Sequence, residues 1–224
     1  MKYRVPVVEF TAALIVMFSI QVCPAQEKQT ALSFFIGGDY YSPNLDGVNA
    51  IYQTIEKNYS LPPGTAFKNY YSIMTGIRYS PVAQQSIQFE FGGSVFKSDC
   101  SGQNGGNWSA SFLSMYYIGG TYLFHIPSKH INFFIGGGPG YVWLNSERTY
   151  SVVSGIAQVD GQLAQLHCIG GIDIDLPMGA ILAIEAGYSY ATTLFPVRSD
   201  LDFVFKSPTG GIQICIPILK ISTK

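Results

Sequence analysis

Charge is scarce in this chain. Asp, Glu, Lys and Arg make up only 12% of its 224 residues, about half the usual share in a soluble domain. A water-soluble fold with so few charges would struggle to cover its surface. There is no basic excess either. The formal net charge of −1 offers no electrostatic case for nucleic acid, whose phosphates need a basic face. After the first 25 residues no apolar run is long enough for a membrane-spanning helix. Cysteine is sparse as well. Once the leader described below is removed, Cys100, Cys168 and Cys215 remain, and an odd number excludes a complete disulfide framework. Alternation puts Cys168 and Cys215 on opposite faces, where they cannot bridge. They read as inert small fillers.

What the chain does have is a leader and alternation. Residues 1–25 have the layout of a signal peptide: Lys2 and Arg4, then the apolar Phe10 to Ile20, then Ala25 at a small-residue cleavage position. Residues 26–224 are expected to form one domain. In Ile87, Phe89, Phe91 and Val95, set against Gln88, Glu90 and Ser94, apolar and polar residues alternate with period two. Such a segment is a strand whose two faces meet different surroundings. The pattern recurs over Leu32 to Tyr41, Asn69 to Ser80, the segment ending near Lys97, Trp108 to His125, Ile131 to Leu144, Gln162 to Leu176, Ala180 to Tyr190 and Leu201 to Leu219.

The connections after the second, fourth and sixth strands are short and the others longer. A short amphipathic helix around Val48, Ile51, Tyr52 and Ile55 is expected in the first long one, Ser42 to Lys68. Residues Asn145 to Asp160 read as another long connection, and Pro208 and Gly210 read as a bulge. This organisation predicts an all-β fold, an eight-stranded antiparallel up-and-down transmembrane β-barrel with short periplasmic turns and longer outer loops. Phe89, Ile135, Ile172 and Ile184 would touch lipid.

Three stretches carry a family likeness. Phe133 to Tyr141 (FFIGGGPGY), Glu185 to Tyr190 (EAGYSY) and Gly76 to Ser80 (GIRYS) resemble the aromatic-glycine and glycine-tyrosine strands of OmpA/OmpX-like outer-membrane barrels. The resemblance spans Leu32 to Leu219. It implies the outer membrane of a Gram-negative-type bacterium, outer-membrane lipids as partners, a monomer, and a structural or surface-interaction role through the loops. The chain departs from many such barrels in ending Ile221-Ser222-Thr223-Lys224 rather than on an aromatic residue.

Any chemistry must come from the inward face. The inward polar cluster is expected to hold Arg78, Gln88, Glu90, His167, Asp173, Asp175 and Glu185, with Asp39 and Gln165 beside them. Arg78, the only arginine assigned inside, is placed to pair with Glu90 diagonally or to reach an acidic pair, Asp173 and Glu185, set opposite each other. That pair could hold a cation or share a proton, but a hydrogen-bonded plug is the simpler reading in so narrow a barrel. No catalytic, cofactor or metal residues are assigned. His125 and His130 flank a short turn, and no serine or other nucleophile is seen converging on a histidine. The glycines of 136–140 lie within a strand with no following helix, so they are no phosphate loop. Two other readings compete: a secreted lipocalin-type barrel, with apolar residues inside and charges outside, and a membrane-embedded lipid-modifying enzyme. Solute transport is weakened by the narrow lumen.

Overall fold

The computed structural model describes residues 28–42, 45–64, 66–67, 70–103, 107–126, 128, 131–151, 156–194 and 204–223. The expected leader, residues 1–25, and His130 lie outside them. The strands are β1 (Lys28–Tyr41), β2 (Tyr70–Val82), β3 (Gln85–Gln103), β4 (Asn107–Ile126), β5 (Ile131–Tyr150), β6 (Ile156–Asp175), β7 (Ile181–Thr193) and β8 (Val204–Thr223). An α-helix, α1 (Asp46–Asn58), lies between β1 and β2. Each strand pairs antiparallel with its chain neighbour, and β8 closes on β1, so the sheet is a closed barrel with no free edge. Among the described residues no helix is long and apolar enough to cross a membrane.

Alternation becomes facing. Phe89 is 63% exposed and Ile135 64%, whereas Gln88 between two outward residues is 0% exposed. Ile184 is exposed too, while Ile172 is half-covered by its neighbours on the outer surface. Tyr40 meets Tyr71 across β1–β2 with ring centroids 5.4 Å apart, and Tyr141 lies edge-on to Trp143 at 4.5 Å. These outward rings sit in the half of the barrel nearer the long connections, as interfacial aromatics do. Cys168 is exposed and Cys215 buried, both as free thiols.

Two expectations are corrected. Strand β8 keeps an unbroken register through Pro208 and Gly210, because Phe205, Ser207, Gly211 and Gln213 all stay inward. The irregularity lies at its other end, where Leu32 pairs with Leu219 but Ser33 with Pro217, leaving Ile218 as the extra residue. Proline there has no N–H to give the ladder, which suits a bulge. The stretch 145–160 is mostly strand, not loop. Leu144, Ser146, Arg148 and Tyr150 keep pointing inward, and β5 and β6 remain paired up to Thr149 and Ile156. Twenty residues of strand span roughly 66 Å, or about 50 Å along a barrel axis at the usual tilt. That exceeds a hydrocarbon core of about 30 Å. The β5–β6 hairpin therefore reaches well past such a layer at the long-connection end.

Candidate functional site

The interior has two zones. Towards the short turns it is polar. Arg78 on β2 is 3% exposed, and its Nη1 donates to both Asp173 oxygens, at 3.2 and 3.1 Å. Its Nε donates to Gln88 Oε1 at 3.1 Å. Gln88 in turn donates to Gln213 (3.4 Å), and Gln213 Nε2 donates to Glu185 Oε1 (3.1 Å). His125 stands on the other side of Asp173, with Nδ1 3.4 Å from Oδ2 and Nε2 2.6 Å from Ser86 Oγ. This single chain of polar contacts ties β2, β3, β4, β6, β7 and β8 together across the lumen. A second chain joins Glu90 to Thr121, Thr121 to His167 Nε2 at 2.6 Å, and His167 Nδ1 to the Tyr117 hydroxyl at 3.4 Å. The Tyr117 ring lies where a Cβ on Gly119 or Gly140 would stand, so glycine at those positions is a matter of space.

Several sequence expectations change here. Of the two partners expected for Arg78, Asp173 of the acidic pair is the one it meets, since strand tilt carries β6 to it across the lumen. Asp173 and Glu185 are not opposite: Asp173 pairs with Ala183, and Glu185 with Gly171. Asp175 lies exposed at the end of β6, outside the network, since the strand ends there before the lumen can enclose it. His125 and Ser86 were not assigned to the interior. Their signal was parity: His125 keeps step with Thr121 and Leu123, which are both buried.

Ser86, His125 and Asp173 follow the hydrogen-bond order of a hydrolase triad. Ser86 is 0% exposed, and Asp173 already neutralises Arg78. In this structure the three side chains join β3, β4 and β6 inside the lumen.

Towards the long connections the interior is apolar and corked. Helix α1 carries Val48, Ile51, Tyr52 and Ile55 on one face, the i, i+3, i+4, i+7 spacing of a helical stripe. Asp46 in its first turn and Lys57 in its last suit the helix dipole. Leu45, Val48, Tyr52 and Phe67 pack into one core with the inward residues Leu113, Met115, Val142, Leu144, Leu163 and Phe205. The Tyr52 hydroxyl donates to the Ser146 carbonyl at 2.8 Å, and burial pushes the phenol up to about 12.

A buried ion pair locks the helix down. Arg148 on β5, 2% exposed, donates from Nη1 to Glu56 Oε1 at 2.5 Å and from Nε to Ser111 Oγ at 2.8 Å. Its guanidinium sits 4.4 Å from the Tyr52 ring centroid and 5.5 Å from that of Phe67, within cation–π range. Arg78 is therefore not the only inward arginine. Arg148 was missed because its segment is polar enough to pass for a loop.

No family model matches the chain, and no curated protein matches it in sequence. Solved structures do match. Ail, the attachment invasion locus protein of Yersinia pestis, is 13% identical with a TM-score of 0.50, over 86% of this chain and 100% of that one. Ail is also known in complex with the heparin analogue sucrose octasulfate. Neisserial surface protein A matches at 9% identity and a TM-score of 0.48, over 83% of this chain and 97% of that one. The outer membrane protease OmpT of Escherichia coli is more distant, at 6% identity and a TM-score of 0.38, over 92% of this chain and 99% of that one. Identities this low speak for fold alone. Eight antiparallel strands closed in chain order, greasy outside and part polar within, give this chain the fold of the small OmpA-like outer-membrane β-barrels.

Proposed function

We propose that this chain is an integral outer-membrane β-barrel, formed by residues 26–224 after loss of a signal peptide at 1–25. It serves a structural or surface-interaction role at its long-connection end and catalyses nothing. One observation carries this reading: an apolar outer face surrounds a lumen that is closed twice, by the Arg78–Asp173 network and by α1. A lipocalin needs the opposite facing, and Phe89 and Ile135 outside with Arg78 and Asp173 inside contradict it. Passage of solute is opposed by the same two closures.

The polyanion bound by Ail is not expected here. Of the described basic residues towards the long connections, Lys57 and Lys206 are exposed, but Arg148 is consumed by Glu56, and Glu147 and Asp160 stand on the neighbouring β5–β6 hairpin. The experiment is membrane fractionation followed by reconstitution. The protein should stay with outer membranes after carbonate washing, run faster on gels unheated than boiled, and conduct next to nothing in planar bilayers. Recovery in the soluble fraction, or a large steady conductance, refutes the reading.

A further inference from the structure

Among the described strand residues, four carboxylates point into the lumen: Asp39, Glu90, Asp173 and Glu185. Arg78 takes Asp173, and neither lysine nor arginine lines the small cavity bordered by Asp39, Glu90 and Glu185. Asp39 and Glu185 are brought together by Gly211. That residue pairs with Asp39 on one side and Glu185 on the other. The Asp39 carboxylate fills the space a Cβ at 211 would need. Asp39 is 5% exposed, and its Oδ1 has no hydrogen-bond partner; nor has the enclosed Oε2 of Glu185. The other oxygens are engaged, Glu185 Oε1 by Gln213 and Asp39 by the Tyr41 side chain. The two residues that carry these orphaned oxygens thus border one cavity of about 20 Å³, room for a single water or bare ion. Tyr41, Ser189 and Thr209 add neutral oxygens to its wall.

We propose that this cavity binds one hard cation between Asp39 and Glu185. Buried charge demands a partner. Met74 and His167 also line the cavity, but both ring nitrogens of His167 are engaged by Thr121 and Tyr117, so the donors left are mainly oxygens, which suit alkali or alkaline-earth ions better than zinc or copper. Among the described residues no three of His, Cys, Asp and Glu form a ready-made metal centre. The ion is accordingly held by two carboxylates and neutral oxygens, and it completes the interior rather than serving chemistry.

The test uses the full-length barrel refolded in detergent without lipopolysaccharide, with Tb³⁺ as the probe and the gel-mobility shift as the check of folding. Tyr41 and Tyr117 border the cavity, so bound Tb³⁺ should luminesce on tyrosine excitation and be displaced by Ca²⁺ or Na⁺. In the near-isosteric Asp39→Asn/Glu185→Gln variant, half-saturation should shift up by about tenfold or more. Each single variant should fall between. Unfolding midpoints at fixed pH should rise with small hard cations but not with tetramethylammonium at equal ionic strength. Equal Tb³⁺ affinity in folded wild type and double variant, or midpoints indifferent to the cation, overturns the proposal and leaves protons as the neutralising species.

Discussion

Removing the Arg148 side chain should loosen the helical cork without dismantling the barrel. In Arg148→Ala the Glu56 carboxylate, 7% exposed, would lose its guanidinium and keep only neutral donors such as the Gly64 amide at 2.9 Å. Breaking a buried ion pair from one side costs about 3–5 kcal/mol. Val48 and Tyr52 of α1, with Leu45 just before it and Phe67 after it, bury four large side chains, each contributing roughly 1.5–3 kcal/mol. The helix should therefore remain mostly docked but open far more often. The assay is labelling of Val48→Cys by a water-soluble maleimide, in a background where the native cysteines are replaced by serine or alanine. Val48 is fully buried, so labelling reports local opening. At about 1.36 kcal/mol per tenfold, the rate should rise by about two to four decades. Exchanging both partners, Glu56→Gln with Arg148→Met, should recover most of the protection, since an apolar replacement leaves no buried charge. Unchanged labelling in Arg148→Ala would refute the claim that this pair holds the helix.

Four further outcomes are expected. Arg78→Ala should lower the urea midpoint of the folded band, because Asp173 keeps only the His125 imidazole beside it; loss of about 3–5 kcal/mol is expected, and Arg78→Ala/Asp173→Asn should regain part of it. Ile135→Arg should cost about 2–4 kcal/mol if that outward side chain meets the middle of a bilayer, whereas no loss in refolding titrations would place it in water. The Tyr52 phenol is raised from its ordinary value of 10.0 to about 12 in the fold, so its contribution is complete below pH 10.0 and fades as pH climbs through about 12. Wild type should lose stability over that window relative to Tyr52→Phe, and parallel curves would contradict the assignment. A fluorophosphonate should leave Ser86 unmodified in the folded barrel, and labelling there, read by mass spectrometry, would make the Ser86–His125–Asp173 chain a hydrolase site.

Strand number, strand facing and the short helix were legible because each rests on neighbours in sequence. Period two places Phe89 outside and Gln88 inside whatever the strands pair with, and the 48/51/52/55 stripe needs only a helical turn. Even a late surprise such as the inward run Leu144, Ser146, Arg148 and Tyr150 was written in parity, hidden because its polar residues resemble a loop. Partner choice was not legible. Arg78 and Asp173 stand 95 residues apart, and Glu56 and Arg148 stand 92 apart; they meet only because closure and tilt bring particular rows of the sheet to the same height. Alternation says that a side chain points inward, but not at what depth. Depth is a property of the closed ring, so the ion pairs, the cork and the two orphaned carboxylates beside Gly211 were decided by the tertiary structure alone.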